Sequence, residues 1–238
     1  MVHSIEASRV GAQSSAYLDD TYLEQVDTTV VAVGEHDGTP WAAVAECLFH
    51  PQGGGQPADR GWLADAEIVP VRDRDSGLVV AVGDGLPALA VGERVRARID
   101  LETRMLHAAL HTAGHLVEAV GRAQGWEMAG SIHFPGQARI EFRAPHADAR
   151  LADPDGREEV TAVLRAGVAA AVADDLPVSA RYLPDGRRVV RLGALHSAPC
   201  GGTHVRALGD LAELALPTLK VKKGRIRVSY SATHRSPR

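Results

Sequence analysis

The chain has 238 residues, 45% of them apolar and 24% charged, with 24 glycines and 13 prolines. It can therefore bury a full core, as one large domain or two modest ones, and it is unlike disordered or fibrous chains. Aromatic residues make up only 4%, so a core of closely spaced small aliphatic side chains is expected and aromatic stacking platforms are not. The formal net charge of −4 conceals a division, because residues 1–180 carry 14 basic and 27 acidic side chains whereas residues 181–238 carry 12 and 3. All three lysines, Lys220, Lys222 and Lys223, fall in the basic part. Residues 1–20 hold no apolar signal core, and no run approaches the ~20 apolar residues of a membrane helix. Cys47 and Cys200 are the only cysteines, too few for a disulfide framework and suited to a reducing compartment. A soluble cytoplasmic protein with no membrane partner is expected.

In chain order, residues 28–33, 41–48, 78–82 and 94–99 read as short strands punctuated by Gly, Pro and Asp, which predicts a small all-β module over residues 1–100. Next, Met105, Leu106, Ala109, Leu110, Ala113, Leu116, Val117 and Val120 recur at intervals of three and four. That period predicts a helix of about five turns, with Asp100 as its N-cap and Gly121 or Gly125 near its end. A strand pair at 128–133 and 138–142, joined by a Pro135-Gly136 turn, follows, and then a second helix over 158–173. The Pro-, Asp- and His-rich stretch 144–155 reads as an exposed loop. Strands are expected near 178–182, 188–193, 209–214, 218–222 and 226–231. The fold class is thus α+β: a small β-barrel-like module, followed over residues 101–238 by a two-layer α/β domain with helices packed on a mainly antiparallel sheet.

Four features carry chemistry. His111 and His115 lie four apart on the long helix, so both imidazoles leave one face within reach of a shared ion. Spacing alone does not separate a metal pair from a structural one. In Cys200-Gly201-Gly202-Thr203-His204, two glycines let the backbone curl so that the thiol and the imidazole can face one point. Together the four side chains make a nitrogen and sulfur donor set suited to one tetrahedral Zn2+. His107, one turn before His111, is expected on the helix surface or behind the ligands; His133 and His196 are candidate partners for metal-bound imidazoles. Cys47 is expected to be buried and inert.

The third feature is the run Phe49-His50-Pro51-Gln52-Gly53-Gly54-Gly55-Gln56-Pro57-Ala58-Asp59-Arg60-Gly61, in which three consecutive glycines can expose backbone N–H groups to a phosphate or sugar. The alternative is a tight structural turn. The fourth is Lys220-Val221-Lys222-Lys223-Gly224-Arg225-Ile226-Arg227-Val228, where basic and apolar residues roughly alternate and would place the charges on one sheet face. Such a face suits a polyanion; a merely solvated basic face is the alternative.

With these pieces in order, the sequence resembles the free-standing alanyl-tRNA editing proteins, the AlaX family, and the editing domain of alanyl-tRNA synthetase. The similarity begins at Tyr17-Leu18-Asp19-Asp20-Thr21-Tyr22-Leu23, passes through the glycine loop, His111-Thr112-Ala113-Gly114-His115 and Cys200 to His204, and ends near Lys223-Gly224. A β module bearing the glycine loop, without a synthetase catalytic domain, is similar to the medium-length type.

The resemblance implies one Zn2+ per chain, held by His111, His115, Cys200 and His204. It implies as substrate the acceptor end of tRNA(Ala) wrongly charged with serine or glycine, and it points to no obligate protein partner. The expected activity is zinc-dependent deacylation, with Thr112, His111 and Cys200 in catalytic roles and Thr112 reading the seryl hydroxyl. Gly53, Gly54, Gly55, Gln56, Lys222, Lys223, Arg225 and Arg227 are expected to contact the tRNA or its cargo. One departure is that Met128 stands two residues before Gly130-Ser131, where the synthetase domain usually carries glutamine. Two other classes compete: a non-catalytic zinc-stabilised RNA-binding module, and a zinc hydrolase of small esters or amides. The latter lacks the Glu of a His-Glu-x-x-His arrangement.

Overall fold

A computed structural model describes residues 12–146 and 148–235. Most of the stretch searched for a signal core, residues 1–11, and Ala147 of the expected 144–155 loop lie outside the described residues. The chain divides into two compact units, one of residues 1–53 and 57–104, the other of residues 54–56 and 105–238.

The first unit is a closed six-stranded barrel, preceded by a one-turn helix α1 (Ala16–Asp19). Its strands are β1 (Gln25–His36), β2 (Thr39–Val44), β3 (Gly61–Leu63), β4 (Ala66–Arg72), β5 (Val79–Val82) and β6 (Arg94–Ile99), in the order β1-β2-β5-β4-β3-β6. Strand β6 shows why the chain closes this way. Val95, Ala97 and Ile99 alternate with Arg94, Arg96 and Arg98, so aliphatic side chains fill the barrel while arginines face water. Leu48, Phe49, Leu63, Ile68 and Val79 complete that interior. Arg104 and Asp59 form an ion pair with no exposed side-chain surface. Arg104 Nε donates to Asp59 Oδ1 at 2.8 Å and Nη2 to the Leu48 carbonyl at 2.7 Å, so the buried charges are paired and hydrogen-bonded. Two strands here lie outside the sequence expectation. Strand β3 is only three residues long, and β4 contains Pro70, which argues against an interior strand.

The second unit is dominated by α2 (Leu101–Ala123), whose first four residues belong to the barrel unit. Asp100 caps it, its Oδ1 accepting from the Thr103 N–H at 3.1 Å, and Gly125 beyond its end has φ +79°. Ala108, Ala109, Ala113, Leu116 and Val117 are entirely buried along it, the small-residue core that composition predicts. Helix α3 (Pro154–Ala173) starts a turn earlier than its apolar period suggests, because Asp153 accepts from the Gly156 N–H and Pro154 opens the helix. It and a short 3-10 turn, Ala149–Leu151, therefore occupy part of the stretch expected to be loop.

The strands of this unit are β7 (Glu127–Ile132), β8 (Arg139–Arg143), β9 (Val178–Tyr182), β10 (Arg188–Leu192), β11 (His196–Pro199), β12 (Leu211–Ala215), β13 (Lys220–Lys222), β14 (Arg225–Ser229) and β15 (Ser231–His234). They form three antiparallel sheets rather than one: β13-β14-β8-β7, β11-β10-β9 and β12-β15. Strand β11 and, but for its first residue, β15 also lie outside the sequence expectation. No helix among the described residues is long and apolar enough to cross a membrane.

Candidate metal centre

The site is assembled from α2 and the loop that follows β11. Helical spacing stacks the His111 and His115 rings, with centroids 5.2 Å apart and planes 4° from parallel. The loop carries Cys200 and His204 to the same face: Cys200 Sγ is 3.4 Å from His111 Nε2 and 3.2 Å from His204 Nε2. One ligand atom from each of His111, His115, Cys200 and His204 lies within 4.8 Å of all the others. Donors around a tetrahedral ion with bonds of ~2.0–2.3 Å stand ~3.3–3.8 Å apart; the Cys200–His111 and Cys200–His204 separations match or come close to this, and small side-chain adjustments would bring all four donors onto one ion.

The outer nitrogen of each imidazole is held by a different partner. His111 Nδ1 meets Gln56 Oε1 at 2.7 Å, and His204 Nδ1 meets the Thr112 hydroxyl at 3.1 Å. His115 Nδ1 is 3.3 Å from His196 Nε2 and 3.8 Å from Glu118 Oε2. Assigning the proton to Nδ1 in each case leaves all three Nε2 atoms as lone-pair donors. His115 Nε2 is a buried nitrogen with no hydrogen-bond partner, which is what a ligand lacking its metal should show. Burial, helped by the neighbouring His196 and His133 rings, lowers the His115 pKa to about 3 and keeps the ring neutral. Burial raises the Cys200 pKa, opposed by the Gly202 N–H and by Arg188.

Several close approaches fix this geometry. Arg188 Nη1 donates to the carbonyls of Cys200 and Gly202, both at 3.0 Å, tying down the ligand loop. A Cβ at Gly202 would overlap the His111 ring and Gln56 Oε1; one at Gly114 would overlap the His133 ring and the Tyr230 hydroxyl. His133 stacks on His111 with centroids 4.3 Å apart, and its Nδ1 is 2.6 Å from the Tyr230 hydroxyl. Burial lowers the His133 pKa to about 4 and raises that of Tyr230. His107 is buried and belongs to neither cluster of metal-capable side chains, so its expected surface placement is not observed.

No protein-family model matches the chain. It is 32% identical to an alanine–tRNA ligase of Methanothrix thermoacetophila, over 88% of this chain and 24% of the ligase. It is 29% identical to the alanyl-tRNA editing protein Aarsd1 of Rattus norvegicus, over 91% of this chain and 58% of that protein. It is also 24% identical to the alanyl-tRNA editing protein AlaX-M of Pyrococcus horikoshii, over 83% of this chain and 87% of that one. The chain is a relative of the alanyl-tRNA editing proteins. It spans about a quarter of the ligases it matches and somewhat over half of the mammalian editing proteins.

Within this editing-protein relative, the residues expected to meet substrate fall in three places. Gly54 and Gly55 have φ of +57° and +80°, a turn only glycine adopts readily, and space beside Gly54 is open. The Gly55 carbonyl accepts the His133 N–H at 2.8 Å. Gly53 is grouped with the barrel unit. Gln56, expected to touch tRNA or cargo, has no exposed surface; its Oε1 accepts from His111 and from the Thr203 N–H at 3.1 Å, and its Nε2 donates to the Thr203 hydroxyl at 2.9 Å. The glycines beside it drew it toward RNA in sequence, whereas the structure turns it into the protein. Thr112 is equally buried, its hydroxyl also accepting from the Val205 N–H at 3.2 Å.

The basic residues lie outside the ligand cluster, on the β13–β14 hairpin. Lys222 is exposed on β13, while Lys223, with φ +50°, stands in the turn with Gly224 rather than on the strand face. Arg225 and Arg227 are not free charges. Arg227 Nη2 is 2.9 Å from Glu141 Oε1 and Arg225 Nη1 is 3.5 Å from Glu141 Oε2. Met128 on β7 is exposed. Sequence reading missed Gln56 as a partner of His111, and it missed Glu118, Arg188 and Tyr230. Only Glu118 had a local signal: at i+3 from His115 it shares that helix face.

Proposed function

We propose that the chain is a zinc-dependent trans-editing deacylase that hydrolyses the ester of mischarged tRNA(Ala), Ser-tRNA(Ala) first and Gly-tRNA(Ala) second, in the cytoplasm. The approach of one ligand atom from each of His111, His115, Cys200 and His204 to within 4.8 Å of the others supports this assignment. Similarity to editing proteins over most of the chain supports the substrate class. In this view residues 1–100 are the β module and residues 101–238 the zinc-binding editing domain, its helices forming one layer over the antiparallel strands.

His111, His115, Cys200 and His204 would hold the zinc, a nitrogen and sulfur set matched to its softness. Bound there, the ion supplies Lewis acidity and a fixed positive charge beside the ester. The protein's own contribution is rigidity. Gln56 and Thr112 hold His111 and His204 in one tautomer, and Arg188 fixes the loop between Cys200 and Gly202. Thr112 enters as a positioning residue for His204. The turn at Gly53, Gly54 and Gly55 offers backbone N–H groups to the acceptor end, and Lys222 and Lys223, more than Arg225 and Arg227, attract its phosphates.

Four protein donors fill a tetrahedral ion, which favours one competing view, a non-catalytic zinc-stabilised RNA-binding module. Hydrolysis of Ser-, Gly- and Ala-charged tRNA(Ala), with and without a chelator, separates the two. Chelator-sensitive deacylation of the serine ester is expected, as is its loss in Cys200→Ala at matched folded fraction. An inert wild-type protein that still binds tRNA would overturn the enzyme assignment.

A further inference from the structure

Sharing His115 with the four-donor cluster stands a second set of donors, completed by Glu118 and His196. His115 Nδ1, His196 Nε2 and Glu118 Oε2 form a triangle with sides of 3.3, 3.5 and 3.8 Å. Their side chains are only 6–10% exposed. Each side is longer than an ordinary hydrogen bond of ~2.7–3.2 Å. Ring protons cannot make three good bonds here, since each imidazole nitrogen carries at most one proton and the carboxylate oxygen none. The same separations match neighbouring donors around a metal ion. A point equidistant from the three atoms lies about 2.1 Å from each, the length of a zinc–nitrogen or zinc–oxygen bond. Arg122 Nε holds the other carboxylate oxygen, Glu118 Oε1, at 2.8 Å, which fixes the carboxylate's rotation and leaves Oε2 facing the imidazoles.

We propose that His115, Glu118 and His196 form a second site, for a divalent transition-metal ion. Two imidazole nitrogens and one carboxylate oxygen suit Zn2+, Fe2+ or Co2+ and not the hard ions Ca2+ and Mg2+. Three protein donors leave at least one position for water or a ligand atom, unlike the four-donor centre. If both ions were bound, His115 would offer one ring nitrogen to each, its ring proton released to solvent. The site stands whether or not the chain is an editing enzyme.

Co2+ titration of the full chain, stripped of metal, tests it. Absorption from cobalt bound to thiolate reports the Cys200 centre, and total bound metal is counted separately. Wild type should take up two Co2+ per chain. Glu118→Gln and His196→Asn should each take up one while keeping the thiolate band; Cys200→Ser should lose the band and keep the second ion. One ion per chain at saturation in wild type, or two ions unaffected by either Glu118→Gln or His196→Asn, would overturn the proposal. Should neither of those variants fold, Cu2+ added to wild type already holding one Zn2+ decides. Nitrogen hyperfine splitting from two imidazoles is expected in its EPR spectrum, and its absence refutes the site. A missing thiolate band in wild type would count against the four-donor centre alone.

Discussion

His111, His115 and His204 would be interchangeable if a zinc ion needed only three nitrogens, yet each has its outer nitrogen fixed differently, by Gln56, by the Glu118 and His196 pair, and by Thr112. Thr112→Val keeps the shape but removes the acceptor for both the His204 ring N–H and the Val205 backbone N–H. Removing partners of this kind weakens metal binding by ~10–100-fold. Competition with a chromophoric chelator should show that loss, and a Thr112→Val protein that binds zinc normally but no longer separates seryl from alanyl esters would return Thr112 to the substrate. Gly202→Ala should be at least as damaging, because its Cβ would displace the His111 ring. His133 gives a pH signature. Burial holds its folded pKa at about 4, below the ~6.5 of an exposed imidazole, so its stabilising contribution is complete above pH ~6.5 and lost as pH falls toward 4. Metal-free protein should lose up to ~1.4 kcal/mol per pH unit from this group across that window. Denaturant unfolding of wild type and His133→Asn at pH 7 and pH 5 measures it, and equal pH dependence in the two would exclude His133 as the source.

At the scale of elements, α2 presents His111, Thr112, His115 and Glu118 from one helix, and Gly114 sits in its middle. Glycine there forfeits ~1 kcal/mol of helix propensity relative to alanine. On propensity alone Gly114→Ala should stabilise; with the His133 ring and Tyr230 hydroxyl pressed against it, the change should instead destabilise by ~1–3 kcal/mol. A higher melting temperature for Gly114→Ala would contradict the packing. The same helix shows what sequence made legible. A three-and-four period over many residues and an Asp cap are local signals, so α2 and the facing of His111 and His115 could be read directly. The loop from Cys200 to His204 was legible for a similar reason, since two glycines between donors are a local pattern. Gln56 was not, because its partners His111 and Thr203 lie 55 and 147 residues away and nothing local distinguishes an amide turned inward from one offered to RNA. Strands β3, β4 and β11 failed for want of length or because proline interrupts or ends them, and pairing in the sheet supplied what periodicity lacked. The division into three sheets was beyond a pattern that marks strands but not their neighbours.

Across the whole molecule, the sequence's shift from acidic to basic is real but only partly available to a polyanion. Of the basic residues on the β13–β14 hairpin, Lys220, Lys222 and Lys223 are exposed, whereas Arg225 and Arg227 share Glu141, which also meets Arg139 at 3.4 Å. Burial would raise the Glu141 pKa, but hydrogen bonds from Arg227 and Arg139 outweigh it and keep the carboxylate charged. That carboxylate cancels part of the field the arginines would offer a phosphate. Lysine and arginine changes should therefore differ. If the chain binds tRNA as proposed, replacing the three lysines by alanine should weaken that binding and reduce the salt slope by up to about 2.7, at ~0.9 for each phosphate no longer neutralised, with metal content unchanged. Arg227→Ala should alter the slope less and stability more. Glu141→Gln should do the opposite of the lysine changes, freeing the arginines and tightening tRNA binding at low salt. Filter binding across a range of salt concentrations measures all three variants. Equal slopes for the lysine variant and wild type would remove the hairpin from the RNA surface, and weaker binding in Glu141→Gln would show that the arginines act through their fold and not through their charge.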